Sequence, residues 1–319
     1  MISYAQAIVI GLLQGITELF PVSSLGHSVL VPALLGWHQV VASQAAQESF
    51  YLAFLVGLHV ATALALLVFF WAEWVRIIAG LARSLRRRHI DPADPDERLG
   101  WLLVVATIPA GLVGVAFEHS LRTLFAKPLA AAVFLTCNGV ILLAGERLRR
   151  RATATGTAPL GPASPEGAPS RSVVPSRAVV PSRAVRTAQR PSRELTTLAF
   201  SEALLIGASQ ILAFFAGISR SGVTMVSGLS RGLSHEDAAR FAFLLATPII
   251  LAAGVYKLPD LLGPNGNGVR GQILAGSLVA AVAAYLSVRF LTRWFQTRTL
   301  TPFAIYCLLA GTACIIRFA

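Results

Sequence analysis

The chain has 319 residues, of which 55% are hydrophobic and only 13% are charged, whereas a soluble domain carries about 25% charged residues. Together with a mean hydropathy of +0.67, this composition excludes an ordinary soluble fold and predicts a membrane protein with many spans. The net charge of +12 would suggest a nucleic-acid partner in a soluble protein. Basic cytoplasmic loops explain the same excess, so we expect no nucleic-acid partner.

The first apolar region, near residues 4–36, is interrupted in its middle by Phe20-Pro21-Val22-Ser23-Ser24. Pro and Ser inside an apolar run predict two short helices that meet at a polar break, so the region is a re-entrant hairpin and not a span. The runs that follow are each long enough to cross about 30 Å of hydrocarbon. They complete a first membrane repeat over residues 1–148, with spans near 50–72, 99–118 and 128–148.

A linker over residues 149–194 separates this repeat from a second one. It is rich in Pro, Ser and Arg, repeats the pattern Pro175-Ser176-Arg177-Ala178-Val179-Val180, and is predicted to be disordered and cytoplasmic. Its arginines would attract anionic headgroups, although a plain solvated spacer explains them equally well. The second repeat, 195–319, has a hairpin near 196–233 and spans near 238–256, 271–291 and 300–318.

The predicted fold is therefore an all-α polytopic membrane protein with six transmembrane helices and two re-entrant hairpins. Most of the 27 basic residues fall on one side of this threading, which the positive-inside rule assigns to the cytoplasm. Three spans after each hairpin give the two repeats opposite topology. Aligning Gln14 with Gln210 also matches Ser23 with Ser219 and Gly26 with Gly222. An inverted repeat brings the two breaks face to face near the midplane of the membrane.

The first break contains side chains that are costly at membrane depth. Gln14 and Glu18 lie four residues apart on one helix face, and an unpaired carboxylate there would be strongly disfavoured, so Glu18 is a candidate functional residue. Ser24 and His27 begin the second short helix and could share one substrate atom. His59, inside the 50–72 run, is interpreted as a packing or pore-facing residue.

The second break has the features of an anion site. Ser219 or Ser221 can cap the helix that follows, whose free N–H groups attract negative charge, and Arg220 adds a guanidinium fork matched to phosphate oxygens. Capping alone would also explain Ser219, as it would Ser23. The two breaks together suit a phosphate ester or anhydride, with a divalent cation on Glu18, because hard cations prefer oxygen ligands.

Two segments closely resemble the signature motifs of the undecaprenyl pyrophosphate phosphatase family of the bacitracin-resistance type. They are Gln14-Gly15-Ile16-Thr17-Glu18-Leu19-Phe20-Pro21-Val22-Ser23-Ser24-Leu25-Gly26-His27 and Gly217-Ile218-Ser219-Arg220-Ser221-Gly222-Val223-Thr224. The resemblance implies hydrolysis of undecaprenyl diphosphate at the outer face of the bacterial plasma membrane. This hydrolysis would recycle the carrier lipid for peptidoglycan synthesis. It would also confer resistance to bacitracin. It also implies Mg²⁺ or Ca²⁺ as cofactor and membrane lipids as partners, while a homodimer is left open.

The resemblance also implies roles by motif position. Glu18 is the metal-associated carboxylate, and Ser24 and His27 are the nucleophile and base pair, with Ser24 activated by His27 as the favoured assignment. The residues assigned to phosphate binding are Arg220, Ser219, Ser221, Gly222, Thr224 and Ser23. The chain departs from the family at Gln14, where many members carry a glutamate and an amide supplies only a neutral metal ligand, and at Ala216, where many carry Pro.

Two other classes of function compete with hydrolysis by this family. The first is a polyprenyl-phosphate transporter or flippase, because inverted repeats with broken helices at the midplane are a transporter architecture. The second is an unrelated phosphatase of the phosphatidic-acid type. Its signature needs His and Asp at a fixed spacing after Ser-Arg, and the ten residues after Arg220 contain neither.

Overall fold

The computed structural model describes residues 2–37, 40–41, 50–125, 127–155, 193–256 and 268–319, and within these ranges all regular secondary structure is helical. The first half contains α1 (Tyr4–Thr17), α2 (Ser24–Leu34), α3 (Phe50–Phe69), α4 (Trp71–Arg87), α5 (Pro95–Phe125) and α6 (Pro128–Thr155). The second half contains α7 (Phe200–Ser209), α8 (Arg220–Ser230), α9 (His235–Tyr256), α10 (Arg270–Thr297) and α11 (Thr301–Phe318), with 3-10 turns at Leu195–Thr197 and Gln210–Phe214.

Five of these helices are individually long and apolar enough to cross a membrane, namely α5, α6, α9, α10 and α11. A sixth candidate is the bent pair α3 and α4. The span predicted near 50–72 corresponds to α3, which ends at Phe69, where the chain bends by 85° into α4. The sequence beyond Trp71 gains several arginines and cannot continue through hydrocarbon. The described residues thus contain five or six candidate spans.

Helix α4 was not predicted from the sequence. It buries Trp74, Ile77, Gly80 and Ser84, spaced three or four residues apart, and carries arginines elsewhere on its surface. Such an amphipathic helix is suited to lie in the membrane interface. The corner between α4 and α5 is held by the fully buried Glu97 carboxylate, which pairs with arginines of α4. In the same corner a hydrogen bond from Arg83 lowers the pKa of the Asp94 carboxyl.

The two predicted hairpins each consist of helices too short to span. Helix α1 has 14 residues and α2 has 11, which correspond to about 21 Å and about 16 Å at 1.5 Å per residue. The alignment of Gln14 with Gln210 also matches the first residues of α1 and α7, and α2 and α8 match at both ends. Both second helices are capped by the aligned serines, since the Oγ atoms of Ser23 and Ser219 accept from the aligned glycine N–H groups, each at 3.2 Å. The internal repeat therefore extends to helix boundaries and caps.

The first helix of each hairpin packs on the second long helix of the other half, α1 on α10 and α7 on α5. Aligned glycines permit both contacts. A Cβ atom at Gly11 would collide with the carbonyl oxygen of Gly276, and one at Gly207 would collide with that of Ala106. The exchanged packing joins the halves through backbone surfaces, with α6 packed against α11 in the same layer.

We expect Gly207→Ala to destabilise the protein by about 1–3 kcal/mol, because the new methyl group must push apart two helix backbones. The matched control is Gly111→Ala in α5, where a Cβ atom would have no neighbour within 4 Å. There the substitution should be neutral or stabilising by about 0.5–1 kcal/mol, because alanine is the better helix former. Thermal unfolding in detergent measures both variants, and equal effects would contradict the close approach of α5 and α7.

The predicted linker begins later than expected. Helix α6 continues to Thr155, so residues 149–155 are helical, while 156–192 lie outside the described residues and their predicted disorder stays a prediction. Where the chain returns, Arg193 donates a 2.8 Å hydrogen bond to Glu202, and its backbone N–H donates to the carbonyl of Gly232. These contacts fix the start of the second half beside the end of α8.

Candidate active site

The two breaks are in direct backbone contact. The Oγ atom of Ser23 accepts from the N–H of Gly26 in its own hairpin and from the N–H of Gly217 in the other, both at 3.2 Å. A Cβ atom at Gly26 would lie 2.8 Å from the Cα atom of Gly217. Ser23 itself has φ of 72°, a conformation that L residues rarely adopt and that is often found at functional sites. The sequence prediction that the breaks meet is borne out at this contact.

Asn138, in the middle of α6, joins the breaks from a third side. Its Oδ1 accepts from the N–H of Ser219 at 3.0 Å, and its Nδ2 donates to the carbonyl of Pro21 at 2.9 Å. The same amide group lies 3.3 Å from the Sγ atom of Cys307 on α11, and the residue is fully buried. One amide therefore satisfies two backbone groups that the broken helices leave unpaired.

Replacing Asn138 by Leu should destabilise the protein by about 3 kcal/mol or more, because an unpaired buried backbone group costs about 1–3 kcal/mol and two would be left. Thr62→Val is the matched control. Thr62 is equally buried, but its hydroxyl donates only to the Leu58 carbonyl of its own helix. Thermal unfolding in detergent compares the two, and a small loss at Asn138 would show that the breaks do not depend on this amide.

The Glu18 carboxylate is the centre of the site, and residues from both breaks meet on it. Arg220 of the second break donates to its Oε1 atom in a short contact. Ser24 donates to Oε2, also in a short contact, and the Gln14 amide donates to the same oxygen at 3.0 Å. The Nε2 atom of His59 on α3 lies 3.4 Å from Oε2. The carboxylate is thus paired and hydrogen-bonded, as a buried charge requires.

The side chains that contact the Glu18 carboxylate differ from it in exposure. The Glu18 side chain is 5% exposed, whereas those of Arg220 and His59 are 20% and 23% exposed. Arg220 and His59 are therefore more accessible than the carboxylate they contact. The planar guanidinium of Arg220 is suited to bind an anionic ligand that reaches this site.

His27 is placed differently from the prediction. Its Nδ1 atom lies 2.6 Å from the carbonyl oxygen of Ser23, and its Nε2 atom lies 2.7 Å from the hydroxyl of Tyr306 on α11. Because a carbonyl only accepts, Nδ1 carries the proton in the neutral ring and Nε2 accepts from Tyr306. Both ring nitrogens are engaged, and the Ser24 hydroxyl is bonded to Glu18 instead. The expected Ser24 and His27 pair is therefore not formed in this structure, although both residues lie at the site.

The polar residues of the second break, apart from Arg220, are bonded within the protein and buried. The Ser219 hydroxyl caps α8 and lies 3.0 Å from the Ser221 hydroxyl, and Gly222 donates the capping bond. The Thr224 hydroxyl donates to the carbonyl of Arg220 at 2.8 Å. Their contribution to phosphate binding stays a prediction, and in this arrangement they build the helix start that presents the Arg220 side chain.

Sequence reasoning missed three residues that complete the site, His59, Tyr306 and Asn138. Each is a polar side chain in the middle of an apolar helix, and such residues usually face the interior or a functional cavity. That signal is present for His59, which is interpreted from the sequence as a packing or pore-facing residue and is not assigned to the site. A polar residue in an apolar helix does not by itself predict which residue it contacts. For these three residues the partners are more than 40 residues away in the chain.

The oxygen donors at the site are the Glu18 carboxylate, the Ser24 hydroxyl and the carbonyl oxygen of the Gln14 amide. Among the described residues no group of three His, Cys, Asp or Glu could by itself hold a metal ion. Mg²⁺ is commonly bound by one or two carboxylates together with the phosphates of a substrate. The donor set therefore fits a divalent cation that shares its coordination with a phosphate-bearing ligand.

The fold and the site define a class: a helical multi-span membrane protein in which two interrupted helices bring a buried carboxylate and a guanidinium together. The family model of bacitracin resistance protein BacA matches residues 7–313. Undecaprenyl-diphosphatase 2 of Frankia alni is 57% identical over 340 residues, covering 100% of this chain and 98% of the relative. Undecaprenyl-diphosphatase of Mycolicibacterium paratuberculosis is 58% identical over 320 residues with the same coverage, and that of Acidiphilium cryptum is 43% identical, covering 97% and 96%. The chain belongs to the bacitracin resistance protein BacA family.

Proposed function

We propose that this protein hydrolyses undecaprenyl diphosphate to undecaprenyl phosphate and inorganic phosphate at the outer face of the bacterial plasma membrane. The carrier lipid would thereby be recycled for peptidoglycan synthesis, and bacitracin resistance would follow from the faster recycling. The relatives' names support the reaction. The observation that carries the proposal is the contact between Glu18 and Arg220, which joins two motifs 202 residues apart in a buried polar site.

Substrate binding would begin at Arg220. Its guanidinium forms a planar fork that matches phosphate oxygens, and the start of α8 adds the positive end of a helix dipole. As Arg220 turns to the terminal phosphate, it releases Oε1 of Glu18. The carboxylate would still accept from Ser24 through Oε2, so that oxygen is placed to take the serine proton.

Ser24 would attack the terminal phosphorus. The bond from Ser24 Oγ to phosphorus forms, the bond from phosphorus to the bridging oxygen breaks, and undecaprenyl phosphate leaves with the electron pair. The serine proton goes to Glu18. Water would then attack the phosphoserine, the bond from phosphorus to Ser24 Oγ would break, Glu18 would return its proton to Oγ, and the water protons would leave with inorganic phosphate. His27 as the base is the second assignment, and it would require the ring to leave Tyr306.

A divalent cation, Mg²⁺ or Ca²⁺, would be held by Glu18 and the Gln14 amide oxygen together with the diphosphate. When bound, it would neutralise charge that develops on the phosphate oxygens. Glu18 would then serve both as ligand and as proton acceptor through its two oxygens. Gln14, which is neutral, would weaken cation binding relative to a glutamate at that position.

In the membrane, we propose that α1 with α2 and α7 with α8 form re-entrant hairpins and that six spans complete an inverted repeat. The short lengths of these helices and their matched caps support this arrangement. The positive-inside rule supports placing the arginine-rich ends of α4, α6 and α10 in the cytoplasm. The first hairpin would then enter from the outer face.

A polyprenyl-phosphate transporter or flippase is the second candidate function. Broken helices that meet inside the membrane favour it, because transporters place their substrate at such a junction. A single assay separates the two. Purified protein in detergent should release inorganic phosphate from undecaprenyl diphosphate when Mg²⁺ or Ca²⁺ is present, and chelation should stop the release. No release in detergent combined with lipid movement across liposomes would replace hydrolysis by transport.

A further inference from the structure

A basic and aromatic cleft lies on the surface of α10 and contains none of the residues that contact Glu18. It has a volume of about 530 Å³ and is lined by Leu286, Arg289, Phe290, Arg293, Trp294, Thr297 and Arg298. Its lining contains three arginines and no acidic side chain, and none of the three arginines forms an ion pair within the described residues. The cleft therefore carries an uncompensated positive charge.

The wall of this cleft is aromatic and firmly packed. The ring of Trp294 lies 5.6 Å from that of Phe290 and 5.9 Å from that of Phe303, and the guanidinium of Arg298 lies 5.8 Å over the Trp294 ring. Phe290 also stacks on Phe20 of the first break at 5.9 Å. Tryptophan at such a place is typical of the boundary between hydrocarbon and headgroups.

An exposed apolar ridge leads along α10 to the arginines. Leu274, Leu278, Val282 and Leu286 recur at every fourth residue, and each side chain is about three-fifths exposed. Arg289 follows one turn further on and Arg293 two turns further on. The ridge and the arginines together thus offer an apolar track that ends in positive charge, which matches an acyl chain ending in an anionic headgroup.

We propose that this cleft binds the headgroup of an anionic phospholipid, whose acyl chain lies along the ridge of α10. Arg289 and Arg293 hold the phosphate with their forked donors, and Trp294 packs against the glycerol region. Attraction to the carbonyl end of the helix acts within its last turn, and Arg289 and Arg293 lie before that turn, so the helix dipole does not account for them. The inference does not depend on the proposed hydrolysis, because it concerns a different surface.

The test is lipid binding to the full chain purified in detergent, measured by native mass spectrometry with dioleoyl phosphatidylglycerol. Arg289→Ala combined with Arg293→Ala should weaken binding by about 30-fold, since each basic residue near a lipid surface contributes about fivefold. The matched control combines Arg86→Ala with Arg147→Ala, two exposed arginines outside the cleft. It should weaken binding by less than about threefold.

Two further measurements test the proposal even if the alanine substitutions disturb insertion of the protein into the membrane. Arg289→Lys combined with Arg293→Lys keeps the charge but loses the fork, and it should bind more weakly than the wild type and more tightly than the alanine variant. Brominated phosphatidylglycerol should quench fluorescence in the wild type more than in Trp294→Phe. Equal losses in the cleft and control variants, displacement of the lipid by inorganic phosphate, or quenching unchanged in Trp294→Phe would each overturn the proposal.

Discussion

Replacing Glu18 by Gln, or Arg220 by Lys, is expected to lower kcat/KM for undecaprenyl diphosphate by about 1,000-fold, the range found when a group that stabilises transition-state charge or transfers a proton is removed. Glu18→Gln keeps the size of the side chain but removes its charge and basicity. Arg220→Lys keeps the charge but removes the fork that would hold two phosphate oxygens. Phosphate release from purified protein in detergent measures both.

The double variant distinguishes a joint role from two separate ones. If Arg220 must leave Glu18 before the carboxylate can act, the two residues form one unit, and removing both should cost little more than removing one. Independent roles would multiply to about a million-fold loss by simple additivity of free energies. Comparing the two single variants with the double variant therefore tests directly whether Arg220 must leave Glu18 before the carboxylate can act.

Glu73 and Arg240 provide the matched control, because they form an equally close ion pair between α4 and α9, away from the breaks. Glu73→Gln and Arg240→Lys should leave kcat/KM within about threefold of the wild type, as expected for an ion pair whose contribution is structural. Activity of the Glu18 and Arg220 variants near the wild-type level would show that the chemistry lies elsewhere.

The sequence predicted the site best where a rule applied to single residues. A charged group in an apolar run is energetically costly, so Glu18 and Arg220 could be identified from the sequence. A Ser before an apolar helix is a capping signal, so Ser23 and Ser219 could be placed at helix starts. The alignment of the repeats then predicted that these residues meet. The contacts of Ser23 with Gly217 and of Arg220 with Glu18 bear this out.

Pairings within a site were less accessible to sequence reasoning. Ser24 and His27 are close in the chain, which favoured a bond between them, but the orientation of each ring and hydroxyl depends on distant helices. Tyr306 on α11 draws the His27 ring away, and Glu18 takes the hydroxyl of Ser24. Sequence spacing limits which side chains can meet, and tertiary packing decides which of them do.

Helix boundaries show the same limit in the fold. The run 50–72 is uniformly apolar, so nothing in its hydropathy marked the bend after Phe69. The bend arises because the next residues form an amphipathic helix, and its periodicity was overlooked beside the stronger signal of the span. Charge patterning after a span would have found α4, since apolar and basic residues alternate there with the period of a helix.

Ser24→Ala should also abolish hydrolysis, with a loss of about 1,000-fold or more, because it removes the proposed nucleophile. Ser28 lies one turn along the same face of α2 and is similarly buried. Its hydroxyl donates to the Leu25 carbonyl, so Ser28→Ala is the matched control and should retain most of the activity. The variants are compared by phosphate release.

The stereochemistry at phosphorus decides whether Ser24 attacks or only orients water. Each in-line displacement inverts phosphorus. A phosphoserine intermediate requires two displacements, so substrate with an isotopically chiral terminal phosphorothioate, hydrolysed in water that carries the third oxygen isotope, should give inorganic thiophosphate with net retention. Inversion would mean that water attacks directly and that Ser24 serves to hold Glu18 as the base. A phosphoenzyme that survives in base and decays in acid would instead indicate His27 as nucleophile. That result would require the ring to break its contacts with both Ser23 and Tyr306 during the reaction.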